Sequence, residues 1–121
     1  QQKIPHTKKY DAIMGFEVIE HLPKLNQSTK NISDALHKGG YFIGTSPYPY
    51  KKNFQDPTHV NVKYPEEWKQ VFRHNGFSEV TIYPMSFIPY LWRLNKRFNI
   101  VLPFRIPFPM FVSTSLIIAK K

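Results

Sequence analysis

At 121 residues the chain has room for one small domain with a single core. It contains no cysteine, which excludes disulfides, thiolate metal sites and cysteine nucleophiles. Its formal charge of +9, from 17 basic and 8 acidic residues, favours an anionic partner: a phosphorylated substrate, a nucleic acid or an anionic membrane surface.

The first residues, Gln1 to Ala12, hold no apolar run of signal-peptide length. The chain opens on Gln1 rather than Met, so further polypeptide upstream is expected. Tyr10 to Gly15 is a short apolar run ending in glycine, the pattern of a buried parallel strand. Gln27 to His37 predicts a helix with Ile32, Ala35 and Leu36 as its apolar stripe. Lys38-Gly39-Gly40 is expected to end it, since glycine adopts positive φ at little cost. Tyr41 to Ser46 predicts a second buried strand, closed by Pro47 and Pro49.

Pro65 to Asn75 predicts a second helix. Proline suits its first turn, and Glu66 and Glu67 lie at its positive end. Trp68, Val71 and Phe72 share one face, and Gly76 stops the helix. Glu79 to Tyr83 alternates as a third strand, and Ser113 to Ala119 reads as a fourth. Between them, residues 84–110 form an aromatic and basic insert carrying Phe87, Tyr90, Trp92, Phe98, Phe104 and Phe108 beside Arg93, Lys96, Arg97 and Arg105. Helix is expected around Tyr90 to Asn99, and the later prolines argue against regular structure. The apolar stretch Phe98 to Ala119 is a poor membrane span, because Arg105, Pro103, Pro107 and Pro109 interrupt it.

Strand, helix, strand, helix, strand predicts the α/β class. The last two strands lack an obvious crossover helix, so antiparallel pairing is expected there. A four-stranded sheet leaves its first strand at an open edge that wants a neighbour.

These segments, in this order, resemble the second half of class I S-adenosylmethionine (SAM)-dependent methyltransferases. Tyr10-Asp11-Ala12-Ile13 resembles the family's fourth strand, and Glu17-Val18-Ile19-Glu20-His21-Leu22 the segment after it. His37-Lys38-Gly39-Gly40-Tyr41-Phe42 resembles the turn into strand five. Asp56-Pro57-Thr58-His59-Val60 and Pro65-Glu66-Glu67-Trp68 resemble the loop and helix before strand six, and Asn75-Gly76-Phe77 the end of that helix. The resemblance implies a partial Rossmann-like sheet, family strands 4-5-7-6, with flanking helices and an antiparallel last strand. On that reading residues 1–121 are the C-terminal half of a methyltransferase domain.

The family holds its cofactor through a glycine-rich turn after strand one and an acidic residue ending strand two. Glycine lets the backbone approach the ligand, and the carboxylate accepts from the ribose hydroxyls. The five glycines here, Gly15, Gly39, Gly40, Gly44 and Gly76, form no Gly-x-Gly-x-x-Gly pattern. The resemblance therefore implies a missing N-terminal half, negligible SAM affinity for this chain alone, and cytoplasmic location with contact to a membrane surface through the insert.

Carried over by position, Gly15, Phe16 and Glu17 would sit near the cofactor. Alternatively Phe16 is a core aromatic and Glu17 a solvated carboxylate. Glu17, Glu20 and His21 are spaced i, i+3, i+4, so a helix would put them on one face. With His59 they form a mixed oxygen and nitrogen set suited to Mg²⁺ or Mn²⁺. This set is similar to the metal site of small-RNA 3′-terminal 2′-O-methyltransferases, where the ion binds the ribose 2′ and 3′ oxygens. Glu20, His21 and His59 are equally candidates for catalysis without metal, His59 as a general base for a hydroxyl, and His21 alternatively as a loop cap.

Three functions follow as expectations. The first is methyl transfer to a small-molecule or lipid-linked acceptor, with the insert as lid or lipid-facing surface. The second is metal-dependent RNA ribose methylation. The third is a non-catalytic module that docks through its open strand or basic insert; nucleic acid ranks below a small acceptor because prolines shape a wall better than a base-stacking platform.

Overall fold

The computed structural model describes residues 8–87, 100–106 and 112–121. Trp92, Arg93, Lys96, Arg97, Phe98, Phe108 and the helix expected around Tyr90 to Asn99 lie outside them. The elements are β1 (Tyr10–Phe16), a 3-10 turn (Ile19–His21), α1 (Leu25–Ala35), β2 (Leu36–Pro47), α2 (Lys51–Phe54), α3 (Pro65–His74), β3 (Glu79–Phe87), β4 (Val101–Leu102) and β5 (Val112–Lys120).

The strands form one sheet in the order β1-β2-β5-β3-β4. β1 and β2 are parallel, in register from Ala12↔Tyr41 to Phe16↔Thr45. β5 runs antiparallel between β2 and β3, paired from Tyr41↔Lys120 to Pro47↔Thr114 on one side and from Glu79↔Lys120 to Phe87↔Val112 on the other. The expected order of family strands 4-5-7-6 is thus present as β1-β2-β5-β3. A fifth strand, β4, adds to the edge of β3 at Ser86↔Leu102. β3 also runs on to Phe87, so the start of the stretch read as an insert is sheet.

α1 ends at Ala35 rather than at Gly39-Gly40. Leu36, expected on the helix, is instead the first residue of β2 and fully buried. The register jumps from Tyr10↔Leu36 to Ala12↔Tyr41, so His37 to Gly40 bulge out of the ladder. Gly39, at φ +82, supplies the left-handed residue that the bulge needs. The chain end closes this corner: Gly39 N donates to Lys121 O, and Lys121 Nζ donates to Ser33 O and Leu36 O at the helix end.

α1 and α3 touch each other and cover one face of the sheet. The core lies between them and that face: Ile19, Leu25, Leu36, Phe42, Trp68, Phe72, Phe77, Val80, Ile117 and Ala119. Phe72 stacks on Phe42 at 5.1 Å between centroids and meets Phe77 edge-on at 5.2 Å. On the opposite face Met14 and Phe16 are 66% and 56% exposed, and Tyr41 on β2 and Tyr83 on β3 are exposed too. The first strand is therefore not the buried strand its apolar run suggests. Among the described residues no second strand pairs with its outer side, and no helix covers its outer face.

Tyr64 N donates to Glu67 Oε2 (2.7 Å) at the start of α3, satisfying one donor at the helix entrance. At its other end Gly76 takes φ +98, with Gly76 N donating to Arg73 O and Phe77 N to Phe72 O. That turn brings Phe77 back under Phe72. A Cβ at Gly76 would both strain the backbone and lie 2.9 Å from Ser33 Oγ. Gly76→Ala is expected to cost about 1–2 kcal/mol, read as a lower urea midpoint at unchanged m-value.

Candidate functional site

β1 and β2 are parallel, so Phe16 and Pro47 end at the same edge of the sheet. β5 enters there, with Thr114 opposite Pro47. Open α/β sheets bind ligands at this edge, outside the carboxyl ends of the parallel strands. The candidate residues gather on it.

Gly15 faces inward over the Phe42 ring, where an added Cβ would be 3.5 Å from Cε2. Phe16 points outward at the strand tip and is not a core aromatic. Glu17 occupies a left-handed turn at φ 50. Its N–H donates to Thr45 O (3.1 Å), and its carboxylate accepts from Thr114 Oγ1 (3.1 Å), which also contacts Ser46 O at 2.7 Å. The turn breaks the helix that would have aligned Glu17 with Glu20 and His21. Only Ile19–His21 is helical, as a single 3-10 turn.

Glu20, His21 and His59 do converge, with one potential ligand atom of each within 4.8 Å of the others. Three of the four residues read as metal ligands are thus together, and Glu17 stands apart. The His21 and His59 rings lie 4.9 Å apart. His21 Nδ1 is 2.8 Å from Thr58 O, and His59 Nδ1 is 3.0 Å from Asn53 O. A carbonyl can only accept, so each Nδ1 carries the proton and donates. In a neutral imidazole this tautomer leaves the lone pair on Nε2, the arrangement that orients the ring for a metal or a substrate proton. His21 Nε2 is 3.6 Å from Glu20 Oε1.

Glu20 is 0% exposed, and neither carboxylate oxygen has a hydrogen-bond partner. Burial pushes its carboxyl above the usual range, outweighing the opposing pull of its own backbone N–H and of the two imidazoles, and the Glu17 charge adds to the rise. A buried carboxylate without partners is costly. Here it lies beside two imidazoles whose free nitrogens are aimed by backbone carbonyls. One carboxylate oxygen and two imidazole nitrogens are a donor set that would suit a divalent cation, and the orphaned carboxylate is the feature that such an ion would satisfy.

The loop residues that build this site were not singled out from the sequence, except as a turn. Asp56 accepts from both Thr58 N (2.9 Å) and Thr58 Oγ1 (2.6 Å). These bonds hold its carboxyl below the usual range. The turn presents Thr58 O to His21 and places Asp56 Oδ2 3.7 Å from His59 Nε2. Asn61 N donates to Glu20 O (2.9 Å), tying the loop to the 3-10 turn. Asp56-Pro57-Thr58 was the legible signal.

No protein-family model matches the chain, and no curated protein sequence does. Solved structures do match. A SAM-dependent methyltransferase from Archaeoglobus fulgidus superposes with a TM-score of 0.65 at 21% identity, over 94% of this chain and 60% of that one. One from Thermotoga maritima gives 0.64 at 17%, over 94% and 57%. Phosphoethanolamine N-methyltransferase 2 of Haemonchus contortus, solved with SAM, gives 0.63 at 14%, over 99% and 34%.

The fold is a partial Rossmann-like α/β sheet of the kind seen in these methyltransferases. The chain spans less than two thirds of these proteins' length. Of the residues expected near SAM, Gly15 and Phe16 end β1 at the carboxyl edge of the sheet and Glu17 follows directly, with Phe16 and Glu17 exposed. The residues present include no glycine-rich turn to hold the cofactor.

Proposed function

We propose that the chain is the acceptor-side part of a SAM-dependent methyltransferase acting on a small-molecule or lipid-linked acceptor, with the cofactor held mainly by upstream polypeptide. The sheet order carries this reading, because β5 inserted antiparallel between β2 and β3 leaves the open edge at β1 for further parallel strands. SAM would supply an electrophilic methyl group. Glu20, His21 and His59 would orient the acceptor and hold or take its proton through a free Nε2. Among the described residues no helix is long and apolar enough to cross a membrane; we place the protein in the cytoplasm, with peripheral membrane contact through the aromatic insert.

The test is methyl transfer from labelled SAM by the polypeptide extended upstream through its own reading frame. Activity there, with no SAM binding by the 121-residue chain alone, is the expected result. An extended protein that carries a glycine-rich turn yet binds no SAM would overturn the reading.

A second reading is favoured by the orphaned Glu20 carboxylate: a Mg²⁺- or Mn²⁺-dependent enzyme of the RNA ribose 2′-O-methylating kind. Mn²⁺ at a hundredfold excess over its Kd is expected to stabilise the chain by about 2.7 kcal/mol. His59→Ala should abolish that gain in a thermal melt. Absence of any Mn²⁺-linked shift in the parent chain removes the metal and leaves His59 as a base. Binding of RNA or liposomes by a chain whose extended form transfers no methyl group would instead favour a non-catalytic module.

A further inference from the structure

Arg105 lies in the segment after β4 and is half-buried. Its guanidinium carbon sits 3.9 Å from the Tyr48 ring centroid, a stacked cation–π arrangement. Tyr48 is held in turn by Tyr50 and Tyr64, at 4.9 and 5.9 Å between centroids. One guanidinium nitrogen donates to Ser115 Oγ (3.3 Å). The next residue is anchored too: Ile106 N donates to Ser86 Oγ (3.1 Å), and Ser86 Oγ meets Ser113 Oγ at 3.0 Å. The cation is therefore positioned by the fold rather than loose on the surface.

Its charge is nevertheless unanswered. Among the described residues no carboxylate pairs with Arg105, and its Nε is buried without an acceptor. Ser46 stands directly across the ladder from Ser115, on the same sheet face. It is 0% exposed, and its hydroxyl also lacks a partner. Buried donors without acceptors are rare in native proteins, and two of them flank Ser115. Tyr48 links this corner to the histidine site: Asn53 Nδ2 donates to Tyr48 O, while Asn53 O accepts from His59 Nδ1.

We propose that Arg105 and Ser46, with Tyr48 as platform, bind a phosphate group of the methyl acceptor. This deepens the methyltransferase reading and rests on it only for the word acceptor. A phosphate monoester has three acceptor oxygens and nearly two negative charges near neutral pH, enough to take the Arg105 Nε–H and the Ser46 hydroxyl, neither of which has a partner among the described residues. The net charge of +9 would draw such a ligand to the site.

The probe is inorganic phosphate, titrated into the ¹⁵N-labelled 121-residue chain without cofactor, with acetate as a parallel arm. The Arg105 Nε–H cross-peak is expected to move saturably with phosphate, and at least tenfold more weakly with acetate. Arg105→Lys keeps the charge but loses the planar fork, and should weaken phosphate binding about tenfold. Ser46→Ala should weaken it a few-fold and leaves the strand intact if Arg105→Lys fails to fold. Equal response to acetate, movement of surface lysines without Arg105, or unchanged affinity in both variants would each overturn the proposal. Because no SAM is present, these outcomes are separate from whether the extended protein transfers methyl groups.

Discussion

Trp68→Ala is expected to cost about 3–5 kcal/mol of stability, a large share of what a domain of this size possesses. Trp68 is 0% exposed on α3 and tilts against Phe72 at 6.4 Å between centroids. Truncation removes a large apolar body from the only layer between α3 and the sheet. The surrounding core is aromatic and stacked, so the cavity cannot close by small shifts. Ile19, beside Glu20 in the 3-10 turn, belongs to the same core cluster. The loss should therefore reach the site as well as the global fold, weakening any Mn²⁺-linked stabilisation. Guanidinium unfolding followed by circular dichroism measures the first effect. A stability loss below about 1 kcal/mol would mean that α3 does not rest on Trp68.

The depth of that effect follows from a pattern visible in the chain itself. Trp68, Val71 and Phe72 at i, i+3, i+4 define one helical face, with Pro65 and Gly76 as its limits, and α3 spans Pro65–His74. The first two strands were legible as apolar runs bounded by glycine or proline and the third by alternation, whereas β4 lay hidden in the stretch read as an insert. What periodicity could not show is tertiary. β1 is as apolar as a buried strand, yet its burial depends on neighbours, and Met14 and Phe16 have none among the described residues. Leu36 fits a helical stripe and a strand equally well; the Lys121 ammonium on the last carbonyls and the bulge at Gly39 decide for the strand.

The site was legible as residue types and misread as geometry. Glu17, Glu20 and His21 share a face only if their segment is helical, and a left-handed glutamate is not something spacing reveals. Thr45 and Thr114, far away in sequence, hold that turn. His59 was identified by type alone, and what makes it useful is the carbonyl of Asn53 fixing its tautomer. Arg105 was visible only as one basic residue of an aromatic insert. Its isolation from carboxylates is a fact of packing.

Glu20→Gln is expected to stabilise the metal-free chain at pH 8 by roughly 1–3 kcal/mol and to change little near pH 4. The folded state holds the Glu20 carboxyl in its protonated form to higher pH than the unfolded chain does. The native state then binds more protons than the unfolded state once pH exceeds the ordinary value of 4.5, so stability falls as pH rises through the folded pKa. Below 4.5 the acid is neutral in both states, and glutamine mimics it. Urea midpoints from pH 4 to pH 8 in chelator should show the parent curve dropping away from the variant's as pH increases. A gap that stays constant with pH, or a variant less stable at pH 8, would mean that the carboxylate already has a partner. Added Mn²⁺ turns the comparison around. A cation between Glu20, His21 and His59 makes the ionised carboxylate favourable, so the parent should overtake the variant at pH 8. If the gap is unmoved by the ion, Glu20, His21 and His59 hold no Mn²⁺ between them.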